Sequence, residues 1–291
     1  MSAIKSLLAA TDFSDEAGSG LARAARIASE QQAALVLLHV ISGPSLDLVR
    51  NLFRQSPDVE AKVQAEAQEV LGRLAADIAD VHHVSVTPRV RIGPVLKEIL
   101  AAAGQADLLV IGAHGLNPIR DLILGTTAER LLGKCMQPSL VVKRPPQDAY
   151  RRVIVPVDFS RCSAASIAIA MRIAPQAEIL VCHAYDAPFE GKLWLAGVSE
   201  DQIERYRTET RERAMADMDQ LIESVAAEGF RLSPLVERGD ANRVILAKEA
   251  EREADLIVIG KHGRSAVENF FLGSVTRHIL SGSKCDVLVV Q

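Results

Sequence analysis

The sequence predicts an α/β protein built from two tandem domains, each a layer sandwich in which helices cover both faces of a five-stranded parallel sheet. Two observations support this prediction. Short apolar runs alternate with segments of helical periodicity along the 291 residues, and strands that are apolar on both faces are typical of buried parallel sheets. The second half of the chain also repeats the order of the first half, which indicates two copies of one domain.

The elements of the first copy follow in order from its pattern of apolar residues. Apolar runs predict strands at 6–11, 34–40, 84–90, 107–112 and 139–143, and the intervening segments predict helices at 15–30, 59–78, 94–103 and 126–134. Apolar residues recur at helical spacing in the first of these helices, at Ala17, Leu21, Ala24 and Ala28. We expect Ser14 to cap this helix, and Asp15 and Glu16 favour its positive end.

The two copies are related by an offset of about 146 residues. Leu7–Ser14 resembles Val153–Ser160, and Ala106–Gly115 resembles Ala254–Gly263. The offset is 146 for the first pair and 148 for the second, so only small insertions separate the copies. Between them lies Pro145-Pro146, which cannot continue a strand and marks a linker. We therefore expect domains at 1–144 and 151–291.

Each copy ends in an apolar strand, "SLVVK" in the first and "VLVVQ" in the second. A terminal strand would leave one edge of its sheet open, and proteins usually cover such edges. We therefore expect these two strands to pair with each other and to join the copies into one pseudo-twofold body. Homodimerisation of the whole chain stays open.

Composition and charge restrict the class of partner. The formal net charge is −4 and aromatic residues make up 4% of the chain, which argues against general binding to nucleic acid or to a membrane surface. No apolar run approaches the roughly 20 residues that span a bilayer, and the first residues lack the features of a signal peptide. We expect a cytoplasmic location, with the four cysteines reduced because none has C-x-x-C spacing.

Glycines recur at equal spacing after the fourth predicted strand of each copy. They are Gly112, Gly115 and Gly125, followed by Thr126, in the first copy, and Gly260, Gly263 and Gly273, followed by Ser274, in the second. The first glycine of each set ends a strand, at the sheet edge where open α/β folds bind ligands. Glycines let backbone N–H groups approach an anion, and the third glycine opens a helix whose positive end and adjacent hydroxyl suit a phosphate.

An acid follows the first strand of each copy, Asp12 in the first and Asp158 in the second. A carboxylate at this position can accept hydrogen bonds from ribose hydroxyls. We expect the base near the end of the second strand, at Val40 or Ala184. Together these residues predict a nucleoside-phosphate site in each copy. The alternative is that the repeated glycines serve packing, because a duplicated core would keep its packing residues too.

These motifs give the chain a clear resemblance to the universal stress protein family, the UspA-like domains. The pattern G-x2-G-x9-G-[ST] is that family's ATP-binding signature, and "VPVDFS" and the terminal "VLVV" are also typical. The resemblance covers both halves and implies cytoplasmic, stress-induced proteins with a flavodoxin-like or Rossmann-like fold, some of which hold ATP. It implies that Asp12 and Asp158 contact ribose, that Val40 and Ala184 contact adenine, and that the glycines and hydroxyls of the motif hold phosphates. The first copy departs from the commoner form "PVD" with Ala10 and Thr11.

Three functions stay open from the sequence. The chain is an ATP-binding regulator of the stress response, or a weak ATPase or nucleotide transferase using the same pocket, or an interaction scaffold that needs no nucleotide. There is no Walker lysine motif and no cluster of carboxylates that predicts a Mg²⁺ site for fast phosphoryl transfer, which favours the regulator. We therefore expect ATP, with or without Mg²⁺, and a protein partner of unspecified identity, and we assign no catalytic residue and no metal ligand.

The two copies also differ in ways that affect binding. Lys261 and Arg264 stand in the second glycine loop where Ala113 and Leu116 stand in the first, although Arg120 partly compensates. Two extra cations near a triphosphate predict tighter ATP binding by the second copy.

Other residues are given structural or surface roles. His114 and His262 are expected to fill the glycine loops or touch phosphate rather than act as general acids, and His39 and His183 to be core or edge residues. Trp194 and Phe53 are expected to be exposed contacts.

Overall fold

The computed structural model describes residues 3–44, 46, 58–113, 124–186, 194–225, 229–263 and 272–291. Contacts divide the chain into two compact units. The first consists of residues 1–149 with 286–289, and the second of residues 150–285 with 290–291. The domain limits expected from sequence, 1–144 and 151–291, stay a prediction.

The first unit alternates strands and helices in the expected order. Its elements are β1 (Ser6–Thr11), α1 (Asp15–Gln31), β2 (Ala34–Ile41), α2 (Val59–His82), β3 (Val86–Ile92), α3 (Val95–Ala103), β4 (Leu108–Gly112), α4 (Thr126–Lys134) and β5 (Ser139–Val142). The strands form a parallel sheet in the order β3-β2-β1-β4-β5. Two elements differ from prediction by two residues or more. β3 lies two residues later than predicted, because its place is set by pairing with β2. α2 continues to His82, four residues beyond its predicted end at Ile78.

The second unit repeats this arrangement. Its elements are β6 (Arg152–Pro156), α5 (Arg161–Ile173), β7 (Glu178–Tyr185), α6 (Glu200–Val225), β8 (Arg231–Arg238), α7 (Ala241–Arg252), β9 (Leu256–Gly260) and α8 (Ser274–Gly282). The strands are parallel in the order β9-β6-β7-β8. The last strand, β10 (Asp286–Val290), follows α8.

The central strands of both units are buried on both faces, which explains their continuous apolar runs. Residues 108–111 of β4 and 256–259 of β9 are all buried, as parallel strands covered by helices on each side must be. Because the strands of each sheet run parallel, their carboxyl ends lie along one edge of the sheet, and the turns that follow them are neighbours. The predicted α/β fold with parallel sheets and helices is confirmed.

The predicted pairing of the terminal strands is also observed, inside the first unit. β10 lies antiparallel to β5, with Leu288 opposite Leu140. Asp286, at the start of β10, forms a buried ion pair with Arg23 of α1, with 3.3 Å between Oδ2 and Nε. Its Oδ1 accepts a hydrogen bond from the Lys143 backbone N–H at 2.9 Å. The first sheet is thus continued by a strand that comes from the end of the sequence.

The two longest helices, α2 and α6, contribute only narrow apolar stripes. The buried residues of α2 are Ala67, Leu71 and Ala75, and those of α6 are Ile203, Ala214, Met218 and Val225. Both helices are amphipathic and expose most of their surface. Within the described ranges, no helix is both long enough and apolar enough to cross a membrane.

Candidate functional site

A cavity opens at the carboxyl edge of the parallel strands in each unit. The first has a volume of about 390 Å³, and the predicted residues that line it are Asp12, Val40, Gly112, Gly125 and Thr126. The second has a volume of about 530 Å³, and the predicted residues that line it are Asp158, Ala184, Gly260, Gly263, Gly273 and Ser274. The structure therefore brings together every predicted site residue that it describes. Gly115 lies outside the described residues.

The acid of the first cavity sits in a tight turn between β1 and α1. Phe13, which follows Asp12, has a left-handed backbone with φ of 65°. Asp12 Oδ1 accepts hydrogen bonds from the N–H of Ser14 at 3.1 Å and from its hydroxyl at 2.6 Å. The Ser14 hydroxyl also accepts from the Ala17 N–H at 3.2 Å, which confirms Ser14 as the cap of α1. A single serine therefore holds both the acid and the helix start.

The acid of the second cavity is held by a different serine. Asp158 Oδ1 accepts hydrogen bonds from the Ser160 N–H and from the Ser163 hydroxyl, both at 3.1 Å, and the Ser163 hydroxyl accepts from the Asp158 N–H at 3.2 Å. Ser163 occupies the position of Ala17 in the first copy. Ser160, which corresponds to Ser14, lines the cavity, and its buried hydroxyl has no hydrogen-bond partner among the described residues.

A phenylalanine and a histidine support each of these turns. The Phe13 ring stacks on His39 with 4.2 Å between centroids, and Phe159 lies 4.3 Å from His183. The Nδ1 atoms of His39 and His183 lie 2.9 and 2.8 Å from the carbonyl oxygens of Thr11 and Val157. A carbonyl can only accept, so Nδ1 carries the proton and donates.

This support is not predicted from the sequence, because the pattern around each histidine by itself indicates only a core or edge residue. The available signal was the Asp-Phe-Ser segment present in both copies, together with a histidine at the same place in the second strand of each. In the first copy the strand register places His39 directly opposite Thr11.

Packing explains the first glycine of each motif. A Cβ on Gly112 would lie 2.9 Å from the Glu16 carbonyl oxygen of α1, and a Cβ on Gly260 would lie 2.8 Å from the Cβ of Cys162 in α5. Helix and strand approach so closely at these points that no side chain fits. For these two positions, the packing alternative considered from sequence accounts for the glycine without a ligand.

The second glycine of the second copy has a different environment. A Cβ on Gly263 would lie 2.9 Å from Oδ2 of Asp158. The absence of a side chain therefore lets the acid and the glycine loop meet across the cavity. These two residues are far apart in the sequence and are the proposed ribose and phosphate contacts.

The third glycine of each motif is the N-cap of a helix that ends at the cavity. Gly125 precedes α4 and Gly273 precedes α8, and neither cap position offers a side-chain hydrogen bond. A helix start has backbone N–H groups without partners inside the helix and carries a partial positive charge, which together favour an anion. Thr126 and Ser274 are exposed at these helix starts.

Two thiols line the second cavity, and both are neutral near pH 7. Burial raises the pKa of the Cys182 thiol to about 12, and burial also raises the pKa of Cys162. Thiolates, not thiols, are the nucleophiles and metal ligands, so these side chains act as walls of the cavity. Across the part of the chain that the structure describes, no group of three or more histidine, cysteine, aspartate or glutamate side chains could hold a metal ion.

The role expected for Lys261 is wrong. Its place in the glycine loop predicts an exposed cation near the phosphates, but Lys261 is fully buried and is not one of the described residues that line the cavity. Its backbone N–H donates to the Val290 carbonyl at 2.6 Å and its carbonyl accepts from Gly273 at 2.9 Å. The backbone of Lys261 therefore connects the end of β9 to β10 and to the N-cap residue of α8.

The remaining residues singled out in the sequence fall into two groups. Two of them are described by the structure: His262 lines the second cavity, and Trp194 is exposed, with 65% of its surface accessible. The others, namely Phe53, His114, Leu116, Arg120 and Arg264, lie outside the described residues.

Comparison with known proteins identifies the family. The sequence model of the universal stress protein family matches residues 3–143 and again 149–291. A universal stress protein of Mycolicibacterium smegmatis is 26% identical over 299 residues, which cover 98% of this chain and 96% of that protein. The universal stress protein YxiE of Bacillus subtilis is 27% identical over 147 residues, covering 49% of this chain and 99% of that protein.

A solved structure shares the fold. The crystal structure of a universal stress protein from Archaeoglobus fulgidus matches with a TM-score of 0.74 at 22% identity and covers 98% of each chain. At this identity the likeness shows the fold alone. The two matches to the family model together span almost all of the sequence, and the chain therefore belongs to the universal stress protein family.

Proposed function

We propose that each copy binds ATP and that the protein is a nucleotide-dependent regulator in the cytoplasmic stress response. The observation that carries this proposal is the repetition of one three-part cavity in both units. Each cavity has an acid after the first strand, glycines after the fourth strand, and a helix start without a side-chain cap.

The sheet order supports an extended placement of the nucleotide. β4, β1 and β2 are neighbours in the first sheet, and β9, β6 and β7 are neighbours in the second. The ends of these strands carry the glycines, the acid, and Val40 or Ala184, in that order. A ligand lying across the sheet edge would therefore meet phosphate contacts, a ribose contact and a base contact in sequence, as in other α/β nucleotide sites.

The second cavity offers two features that suit such a ligand. The Ser160 hydroxyl is buried and lines the cavity without a hydrogen-bond partner among the described residues, and a buried hydroxyl costs free energy unless it is paired. Gly263 brings the glycine loop next to the Asp158 carboxylate, so the phosphate and ribose contacts of one ligand would be adjacent. A ribose hydroxyl or a phosphate oxygen would satisfy the Ser160 hydroxyl.

The lining supports binding better than hydrolysis. Among the lining residues that the structure describes, each cavity has one carboxylate, Asp12 or Asp158. Each already accepts two hydrogen bonds from a nearby serine or pair of serines. A carboxylate used in this way is suited to orienting ribose. A weak ATPase or transferase is therefore the second candidate and is an outcome of the test below.

Calorimetry and native mass spectrometry of the full chain test the proposal. We expect two ATP per chain, one in Asp12→Asn, one in Asp158→Asn, and none in the double variant. Asp148→Asn is the control, because this exposed acid pairs only loosely with Arg26 at 3.6 Å. Two ATP in the double variant would contradict the assigned sites, and none in the unchanged chain would favour the scaffold. Phosphate release that the double variant lacks would favour the ATPase.

A further inference from the structure

We infer that the two nucleotide sites select different bases: the first fits unsubstituted adenine, and the second accepts a purine nucleotide enlarged by an apolar substituent on its six-membered ring. This inference rests on the proposed nucleotide binding and specifies the ligand class of each site. It is carried by three matched exchanges in the lining of the two cavities.

All three exchanges make the second cavity wider. Leu38 and Val40 of β2 line the first cavity, and Cys182 and Ala184 stand at the same places of β7 in the second. The equivalence of these positions is fixed by the intervening histidines, His39 and His183, which make the same hydrogen bond in each copy.

The third exchange is on a helix. Val95 is the first residue of α3, and Ala241 is the first residue of α7; each lines its cavity. One turn further along, the lining residue is isoleucine in both copies, Ile99 and Ile245. The helices therefore present the same wall except at their first residue.

The exchanges agree with the cavity volumes. Each shortens a side chain by about two heavy atoms, and a core that relaxes only partly keeps such space as a cavity. The volumes are about 390 Å³ in the first unit and about 530 Å³ in the second. The second cavity is thus the larger one, as its smaller side chains at these three positions predict.

The position of the exchanges points to the base. In the second sheet β6, which leads to Asp158, lies between β9 and β7. The glycines follow β9, so β7 lies on the opposite side of Asp158 from them. A nucleotide with phosphates at the glycines and ribose at Asp158 would direct its base toward β7 and α7. A purine joins ribose through its five-membered ring, so its six-membered ring is the end farthest from Asp158. Cys182, Ala184, Ala241 and Ile245 around that end favour an apolar substituent over a charged one.

The probe for the test is N6-benzyl-ATP, compared with ATP by calorimetry on the full chain. The unchanged protein is expected to bind two ATP but one N6-benzyl-ATP. Asp12→Asn is expected to keep the binding of the probe, and Asp158→Asn to lose it. At the first site the probe should bind at least about tenfold more weakly than ATP, which is the discrimination that a tight apolar pocket gives.

Exchanging the lining residues tests the cause. Val40→Ala with Val95→Ala should let the first site take the probe, and Ala184→Val with Ala241→Val should remove it from the second. The circular dichroism spectrum and the urea-unfolding midpoint serve as controls for folding, and each single exchange serves where the double variant misfolds.

The inference is overturned if the probe binds both sites or neither in the unchanged protein, or if the exchanges leave its binding unaltered in a protein that keeps its circular dichroism spectrum. If neither ATP nor the probe binds, the proposed function is overturned as well. If ATP binds both sites but the probe binds both or neither, only the inference about base selection is overturned.

Discussion

At the scale of single residues, the Asp-Phe-Ser segment that both copies contain makes different hydrogen bonds in each copy. In the first copy Ser14 binds the acid and caps the helix. In the second copy Ser163 binds the acid, so Ser160 is left without a hydrogen-bond partner among the described residues. Because Ser163 stands where the first copy has Ala17, the Ser160 hydroxyl is not needed to hold the acid and remains available at the wall of the second cavity.

Replacing these two equivalent serines should have opposite consequences. Ser14→Ala removes a helix cap and should lower the free energy of unfolding by about 0.5–2 kcal/mol. Ser160→Ala removes a buried hydroxyl that has no hydrogen-bond partner among the described residues, so the free energy of unfolding should stay the same or rise. ATP binding at the second site should weaken several-fold, as loss of one hydrogen bond of about 1 kcal/mol would give. Urea unfolding and calorimetry measure both effects. An equal loss of stability in the two variants would contradict this account.

The glycines of the motif also differ in what they do. At Gly112 a Cβ would meet backbone of α1, which cannot move aside cheaply, whereas at Gly263 it would meet the end of the Asp158 side chain. The first contact concerns the fold and the second concerns the site. A sequence motif alone cannot separate the two roles, because both depend on contacts with residues about 100 positions away.

Alanine at each of these two glycines separates the roles by experiment. Gly112→Ala should lower the free energy of unfolding by about 1–3 kcal/mol through overpacking. Gly263→Ala should displace the Asp158 carboxylate and weaken ATP binding at the second site by roughly tenfold or more, with the far-ultraviolet circular dichroism unchanged. Thermal unfolding and calorimetry measure the two variants.

The matched control is Gly18→Ala, because a Cβ on Gly18, near the start of α1, would lie more than 4 Å from every described atom outside the adjacent backbone of the helix. This exchange should leave ATP binding unchanged and raise stability by up to about 1 kcal/mol, since alanine favours a helix over glycine. A Gly112→Ala protein as stable as this control would show that the packing argument is wrong.

At the scale of elements, the sequence pattern predicts positions well wherever local signals are strong. β1 and α4 have the predicted bounds, and α1 begins at the predicted residue because Ser14 caps it. β3 is displaced by two residues, since this edge strand is fixed by its register with β2, in which Ile92 pairs with Ile41. Such pairing is not visible in the local pattern of β3.

The same limit applies to the site. In each copy the acid, the described glycines and the position proposed for base contact line one cavity, as their places at strand ends predict. The burial of Lys261 could not be predicted, because a lysine in a glycine-rich turn resembles a solvated residue until the surrounding elements are in place. Charge read from a loop sequence is therefore a weak guide to charge in the cavity.

A buried acid fixes the connection after α8. Oε1 of Glu249, on α7, accepts hydrogen bonds from the backbone N–H groups of Lys284 at 2.6 Å and Cys285 at 2.8 Å. Glu249→Ala would remove the acceptor of two backbone donors and should lower the free energy of unfolding by about 2–4 kcal/mol. Glu249→Gln keeps an oxygen acceptor and should lose less, which urea unfolding of both variants can measure. Equal losses would show that packing, not hydrogen bonding, is what Glu249 provides.

At the scale of the whole molecule, residues distant in sequence complete the first unit. Residues 286–289 belong to it by their contacts, and β10 continues its sheet antiparallel to β5. The Arg23–Asp286 pair joins α1 to this strand, with side chains only 8% and 3% exposed. The Arg23 guanidinium also donates to the Asp148 carbonyl at 2.7 Å, so one arginine links a helix, the linker and the final strand.

Removing this arginine should therefore destabilise the first unit strongly. Arg23→Ala leaves Asp286 buried without its cation, and breaking one side of a buried pair costs about 3–5 kcal/mol. Arg26→Ala, on the same helix, is the matched control. Arg26 is one-third exposed and pairs with Glu30 at 3.2 Å, so its loss should cost no more than about 1 kcal/mol. In urea unfolding, Arg23→Ala with Asp286→Ala should recover part of the loss, because no uncompensated charge then remains. If Arg23→Ala costs no more than Arg26→Ala, the final strand is held by its backbone pairing with β5, and the buried pair contributes little to the stability of the first unit.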